Sequence, residues 1–204
     1  MSIEHTILAV ISFKPKSGYD IKAEFEHKGA GLFWEMSYGS IYPKLKKLEE
    51  SGWIKAYENN LQGRKRVLYE LTREGWDELE NWLYKTPEYP LIKDELLMKM
   101  ASWHEDLDAR KLIAHLEKRK EKSQELLAFV NFWPNNGTSY VSGIGKLALR
   151  YEESRLRAEI EWIEDTISAL EKGDLPAPQD PFGLAEEIKQ RRKDAHKGAS
   201  DHEG

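Results

Sequence analysis

The chain has 204 residues, carries a formal net charge of −5, and contains 40 % hydrophobic residues, 33 % charged residues and no cysteine. This length suits one domain with an extension or two small domains, and the lack of cysteine excludes disulfides, thiolate metal ligands and cysteine nucleophiles. No segment approaches the roughly 20 apolar residues of a spanning helix, and the apolar run near the N-terminus is too short for a signal peptide, so we expect a cytoplasmic protein.

Two short helices are predicted at the start of the chain. In residues 3–13 apolar side chains recur at helical spacing, and Pro15 ends that helix. Ser17, followed three positions later by Asp20, is a capping-box signature. The sequence therefore predicts a second helix that begins at Ser17 and that Gly29 ends.

A third helix is predicted to begin near Ser40. Pro43 then falls in the first turn, where no backbone N–H is needed, whereas in a helix interior it would cost about 3 kcal/mol. The apolar face of this helix consists of Ile41, Leu45 and Leu48. The side away from that face carries Tyr42, Lys44, Lys46 and Lys47.

A β-hairpin is predicted to follow the third helix. Residues 53–57 and 66–71 alternate in the manner of strands, and the segment NNLQGR between them is typical of a turn. Thr72 is then predicted to cap a fourth helix. We expect three side chains of that helix to face the core, namely Trp76, Leu79 and Leu83.

Basic residues are concentrated in the third helix and the hairpin. Residues 37–66 hold 7 bases (Lys44, Lys46, Lys47, Lys55, Arg64, Lys65 and Arg66) against 3 acids (Glu49, Glu50 and Glu58). A local positive field can bind a polyanion even when the whole chain is acidic. Three helices, a basic hairpin and a further helix, in this order, predict a winged helix-turn-helix. In that fold one helix reads the major groove and the hairpin reaches the DNA backbone.

The C-terminal half is predicted to be almost entirely helical after a linker that contains Pro87 and Pro90. A first helix runs to about Trp103, and two long helices follow, with a break at Pro134. The first long helix has apolar residues at alternating steps of four and three with a polar middle at Arg119 and Ser123, which is a heptad-like pattern. Two long helices joined by a short break predict a helical hairpin.

The apolar seams of this hairpin are expected to be buried against a second copy of the chain, because a lone hairpin would leave them partly in water. The predicted dimerisation residues are Leu112, Leu116, Leu126, Val130, Ile144, Tyr151, Ile160, Ile163, Ile167 and Leu170. Residues 173–204 are predicted to be a polar, flexible tail, in which the segment LAEEIKQRRK could form a short helix.

Three segments of the N-terminal half resemble the PadR-like transcriptional regulators: SGYDI, GSIYPKLKKLEESGWI and GRKRVLYELTREG. The resemblance covers roughly residues 3–84 and is specific, because the three segments occur together and in order. The remainder is similar, in length and helix pattern, to the longer members with a helical C-terminal domain of the virulence activator alpha type. The resemblance implies homodimers whose C-terminal helices interlock and whose two wings face palindromic DNA. Some members release DNA when they bind phenolic acids or other small aromatic compounds, and no residue set in this sequence decides whether such an effector binds.

The predicted DNA-binding residues lie on the second helix, around the start of the third helix and in the wing. They are Ser17, Tyr19, Lys22, Ser37, Tyr38, Gly39, Ser40, Tyr42, Pro43, Lys44, Lys46, Lys47, Arg64, Lys65 and Arg66. Each group has a plainer interpretation: the lysines could form a solvated helix face, the arginines an ordinary charged turn, and Ser17 a helix cap. No cofactor is expected, because the histidines show no metal-pair spacing and no enzyme motif is present.

The sequence thus predicts a mainly α protein in three parts. A winged-helix DNA-binding domain with three helices, a two-stranded wing and a fourth helix occupies residues 1–86, a helical dimerisation domain occupies 87–172, and the tail occupies 173–204. The predicted function is a sequence-specific transcriptional repressor that binds an inverted repeat as a homodimer. The alternative is a winged helix that binds proteins only, and a strong salt dependence of duplex binding would separate the two.

Overall fold

The computed structural model describes residues 3–27, 41–61, 64–90, 93–104, 106–137 and 140–200. The chain forms two compact units, divided between Lys93 and Asp94. The boundary predicted after residue 86 lies a few residues before this division, and the extended segment between them contains Pro87 and Pro90. No helix in the described ranges is long and apolar enough to cross a membrane.

Within its described residues, the first unit has the predicted order of elements. Its helices and strands are α1 (Ile3–Ser12), α2 (Gly18–His27), α3 (Ile41–Glu50), β1 (Ile54–Leu61), β2 (Arg64–Leu71) and α4 (Arg73–Tyr84). The two strands pair antiparallel, from Ile54 opposite Leu71 to Leu61 opposite Arg64. The fold is therefore mainly helical with a two-stranded wing between α3 and α4.

The core of the first unit is formed by the apolar faces of the first three helices, with contributions from β1 and α4. Its buried members are Ile7, Leu8, Val10, Ile11, Ile21, Phe25, Ile41, Leu45, Leu48, Ile54 and Leu79. Burying one such Ile or Leu side chain contributes about 1.5–3 kcal/mol. The predicted apolar face of the third helix is thus confirmed, and its burial fixes the direction of the other α3 side chains.

The wing is attached to the helices at its base. The backbone N–H of Lys16, just before α2, donates to the carbonyl of Tyr69 at 3.1 Å, and the N–H of Tyr69 donates back to the carbonyl of Lys16 at 2.9 Å. The side chain of Lys16 is buried and its Nζ lies 2.7 Å from Glu24 Oε1. The start of α2 and strand β2 are therefore held at a fixed position relative to each other.

The buried face of α4 differs from the predicted one. Leu79 is buried as expected, but Trp76 and Leu83 are 43 % and 65 % exposed, and Trp82 packs against the core instead. The cause lies at Gly75, where an added Cβ would be 1.9 Å from the carbonyl oxygen of Trp53. The helix approaches the chain along its Gly75 side, which turns Trp76 and Leu83 away from the core.

The second unit contains α5 (Glu95–Ala101), α6 (Ala109–Phe132), a 3-10 turn (Trp133–Asn135), α7 (Gly143–Lys172) and α8 (Leu184–Ser200). Helices α6 and α7 run antiparallel, since the residues that meet move in opposite directions along the two helices. Leu112 and Leu116 share a buried cluster with Ile163, whereas Arg119 and Ser123 bond to Glu159. The predicted helical hairpin is therefore present.

Helix α8 falls in the segment that was expected to be a flexible tail. It is longer than the short helix suggested by the sequence, and most of its described side chains are exposed. Asp180 accepts hydrogen bonds from the N–H groups of Leu184 and Ala185, which start the helix. Arg192 donates to Asp106 Oδ2 at 2.7 Å, a contact between α8 and the segment that precedes α6.

Replacing Gly75 by Ala should destabilise the first unit by about 1–3 kcal/mol, because the added Cβ cannot fit against the carbonyl of Trp53. Gly143→Ala is a matched control, since nothing lies within 4 Å of its added Cβ, and alanine is favoured over glycine in helices. Denaturant unfolding should show loss of stability for Gly75→Ala and none for Gly143→Ala. Equal stability of Gly75→Ala and the unchanged protein would contradict the close approach.

Candidate nucleic-acid interface

The first turns of α2 and α3 lie side by side, with the ring of Tyr42 over Gly18. An added Cβ at Gly18 would be 2.7 Å from Cε1 of Tyr42. Despite this contact, Tyr42 is 63 % exposed, and Tyr19 next to Gly18 is exposed as well. Glycine at position 18 therefore lets the Tyr42 ring lie against the start of α2, and the neighbouring Tyr19 is exposed there.

A reciprocal cap closes the N-terminus of α2, as the sequence predicted. The Ser17 hydroxyl donates to Asp20 Oδ2 at 2.7 Å and accepts from the N–H of Asp20 at 3.1 Å. The N–H of Ser17 also donates to Asp20 Oδ2 at 3.2 Å. Ser17 is thus engaged as a helix cap, and any contact with a phosphate would be additional to that role.

The carboxylate of Asp20 connects this cap with the wing. Burial alone would raise the pKa of Asp20, but the hydrogen bonds from Ser17 and the charges of Arg66 and Lys16 hold that pKa below its ordinary value. Asp20 is therefore ionised at neutral pH, and the positive charge of Arg66 on β2 attracts its carboxylate. This attraction links the wing to the start of α2.

The three lysines of α3 lie on different flanks of the helix. Lys44 and Lys47 donate to Glu4 Oε1 of α1 at 2.9 Å and 3.0 Å. Lys46 lies on the opposite flank of α3. Its Nζ is 3.8 Å from Glu50 Oε1, and both side chains are largely exposed. The sequence grouped these lysines as one basic surface, but the structure divides them, because the residues directed toward α1 meet a buried carboxylate there.

In the wing, Lys65 Nζ lies 3.4 Å from Glu58 Oε2, an exposed pair of the two strands. Arg66 is exposed, and the backbone of Arg64 begins β2. Of the remaining predicted residues, Lys22 is half-buried on α2 and Pro43 is exposed in the first turn of α3. Ser37, Tyr38, Gly39 and Ser40 lie outside the described residues.

Three residues that shape this surface from beneath were not found from the sequence. Gly18 is needed for the approach of Tyr42, Glu4 holds two lysines, and Lys16 pairs with the wing and with Glu24. Each role depends on a neighbour from another element, so no local pattern reveals it. Within the described ranges, no group of three or more potential metal ligands comes together.

The predicted dimerisation residues fall into three groups. Four are buried within the chain itself: Leu112, Leu116, Val130 and Ile163. Four are half-buried: Leu126, Ile160, Ile167 and Leu170. Ile144 and Tyr151 are 82 % and 67 % exposed, and Leu147 between them is exposed too. The first group therefore packs the hairpin's own interior, and the exposed members of the predicted set lie near the start of α7.

A polar network holds the middle of the hairpin together. Arg119 of α6 donates to Glu159 Oε1 at 2.9 Å and 2.7 Å and to Asp94 Oδ2 at 2.9 Å. Burial alone would raise the pKa of Asp94, but the hydrogen bond and charge of Arg119 and the N–H groups of Leu97 and Leu96 lower it. Asp94 caps α5 as well, so one carboxylate connects α5 with α6.

The fold defines a winged-helix protein with a C-terminal helical hairpin, and known proteins share both parts. Residues 7–81 match the transcriptional regulator PadR-like family, and residues 92–171 match the virulence activator alpha C-terminal family. Each match covers most of one described unit, and α8 lies outside both. The first unit therefore contains a domain of the PadR-like family of transcriptional regulators, and the second unit contains a domain of the virulence activator alpha C-terminal family.

Individual relatives show the same likeness. The negative transcriptional regulator PadR of Bacillus subtilis is 36 % identical over 100 residues, which are 48 % of this chain and 54 % of that protein. The matched part thus spans about half the length of this relative. Among solved structures, a PadR-like transcriptional regulator from Bacillus cereus superimposes with a TM-score of 0.74 at 23 % identity over 82 % of this chain and 94 % of that chain. Bacillus subtilis PadR in complex with operator DNA gives 0.68 at 26 % identity over 82 % and 98 %.

Asp94→Asn should lower the stability of the helical unit at neutral pH by about 1 kcal/mol, because the charge-assisted bond from Arg119 is lost while the side chain can still cap α5. Asp94 has a lowered pKa in the folded state, so its contribution is present above the unfolded pKa of about 3.9 and is lost as pH falls through the folded value. Denaturant midpoints should therefore differ at pH 7 and converge as the pH falls below the lowered folded pKa of Asp94. Exposed Asp165→Asn serves as the control, and a difference that persists unchanged at low pH would contradict this role.

Proposed function

We propose that this protein binds an inverted-repeat operator as a homodimer and represses transcription. The observation that carries the proposal is the meeting of the α2 and α3 first turns beside the basic wing, with Tyr42 and Tyr19 exposed at their junction. Helix termini and basic side chains bind phosphates, and an α-helix fits the major groove. The complex of Bacillus subtilis PadR with operator DNA supports the proposal.

In this proposal, one group of residues contacts the base edges and a second group contacts the phosphates. Tyr42, with Ser37, Tyr38 and Ser40 before it, contacts base edges from the start of α3. Among the other predicted residues, those that hold phosphates are Ser17, Tyr19, Lys22, Lys46, Arg64, Lys65 and Arg66. Lys44 and Lys47 are bonded to Glu4 and are not assigned to phosphates.

Dimerisation is the second part of the proposal. Ile144, Leu147 and Tyr151 recur at steps of three and four on α7, so they share one exposed helix face. Exposed apolar side chains that share one helix face are a typical feature of protein–protein contact surfaces. One winged helix also buries only a modest area on DNA, and linking two half-sites increases avidity by roughly 100-fold or more. We therefore assign this face to contact with a second copy.

A protein-binding winged helix remains the competing function, and salt dependence separates the two. Lys46→Ala and Arg66→Ala should each weaken binding to operator and random duplexes alike, and should reduce the slope of log affinity against log salt by about 0.9 per lost phosphate contact. Lys118→Ala removes the same charge from an exposed position on α6 and should leave both quantities unchanged. If both wing and helix variants stay folded by circular dichroism and bind DNA as before, the DNA-binding proposal is wrong.

Ile144→Asp combined with Tyr151→Asp should convert the protein from a dimer to a monomer in light scattering at micromolar concentration. Both side chains are exposed within the chain, so the hairpin itself should stay folded. Operator affinity should fall by about 100-fold. Leu184→Asp on α8 is the control and should keep the dimer. A chain that is already monomeric, or a monomeric variant that binds the operator as tightly, would refute the dimeric mechanism.

A further inference from the structure

A buried carboxylate of α1 is bonded to the helix that is proposed to read DNA. Glu4 is 8 % exposed and lies beside the core residues of α1. Its Oε1 accepts hydrogen bonds from Nζ of Lys44 at 2.9 Å and from Nζ of Lys47 at 3.0 Å. These two lysines are separated by one turn of α3, so a single carboxylate oxygen spans that turn.

The two ammonium groups offset the burial of this charge. A carboxylate removed from water is costly unless it is paired, and loss of one partner leaves an uncompensated charge. Lys44 contributes the more protected ammonium, because its side chain is only 31 % exposed, compared with 64 % for Lys47. If Lys44 formed an ion pair with a DNA phosphate in place of Glu4, the buried Glu4 carboxylate would lose the less exposed of its two lysine partners.

The position of Lys44 on the helix also indicates that it serves Glu4 and does not contact DNA. Residues five apart in an α-helix, such as Tyr42 and Lys47, lie about 140° apart around its axis. Tyr42 faces Gly18 at the start of α2, whereas Lys44 and Lys47 face α1. Helix α3 is therefore fixed on two flanks, by the Tyr42–Gly18 contact on one and by Glu4 on the other.

We propose that Glu4 is a positioning residue for operator reading, and that Lys44 is its partner rather than a phosphate contact. The ion pairs with Lys44 and Lys47 fix the rotation of α3 against α1, and that rotation sets the direction of Tyr42 and Lys46. The inference rests on the proposed DNA-binding function. It replaces the sequence-based assignment of Lys44 to the DNA surface.

Charge reversal distinguishes a pair within the protein from a contact with DNA. Glu4→Lys and Lys44→Glu are made singly and together in the full chain, and the double variant has the net charge of the original. If Lys44 serves Glu4, the double variant rebuilds the pairing, with the introduced carboxylate at position 44 between two lysine side chains. If Lys44 holds a phosphate, the same double variant carries a negative charge against DNA.

Three quantities are measured for each variant: the thermal midpoint, the ratio of operator to random-duplex affinity, and the salt slope. Each single variant should lower the thermal midpoint and the affinity ratio. The double variant should recover the midpoint, bind the operator within about threefold of the original, and keep its salt slope. Lys46→Glu makes the same charge change on the other flank, and Glu4→Lys should not rescue its weakened binding.

The outcomes that overturn the inference are separable from failure of DNA binding itself. A double variant that folds but binds operator at least about tenfold more weakly, with a smaller salt slope, would assign Lys44 to a phosphate. A double variant that stays as unstable as the single ones would show that the charge pair does not hold α3. If the original chain shows no salt-dependent duplex binding, the proposed function fails and the role of Glu4 in reading fails with it.

Discussion

The burial of one face of α3 is the constraint on which the candidate DNA surface depends. Its three apolar residues are almost completely buried against the other helices of the first unit. Because successive residues of a helix are about 100° apart, fixing this face directs every other α3 side chain. Tyr42 and Lys46 face one flank, and Lys44 and Lys47 face the other, toward α1. The contacts of each flank then decide which of these side chains can reach DNA.

Periodicity and capping signals were sufficient to predict the elements of the first unit. Proline and serine positions located the helix starts, and alternation located the wing, because both signals are local. The buried face of α4 could not be predicted in this way. The orientation of α4 depends on the close approach of Gly75 to the backbone of Trp53, and these residues belong to different parts of the fold. The apolar pattern of α4, which includes Trp76 and Leu83, does not reveal that approach.

The site residues were predictable by type and region, but their pairing was not. A lysine that binds phosphate and a lysine that binds a buried glutamate look the same in a sequence, and Glu4 is 40 positions away from Lys44. The same ambiguity affects the helical hairpin. A heptad pattern predicts burial of Leu116 and Ile163 but does not distinguish burial within one chain from burial between two. Only the packing of α6 on α7 assigns these residues to the chain's own interior.

The polar middle of that hairpin specifies how α6 and α7 are aligned. Leucine and isoleucine would still meet if one helix slid by a heptad, so apolar contacts alone define the register weakly. Such a slide would separate Arg119 from Glu159 and leave partly buried charges without partners, which costs several kcal/mol. We infer that this ion pair, with Ser123 bonded to the other oxygen of Glu159, selects a single register. The exposed face around Ile144 and Tyr151 is carried on α7, so its position along the hairpin depends on the same pair, as does the geometry of the proposed contact with a second copy.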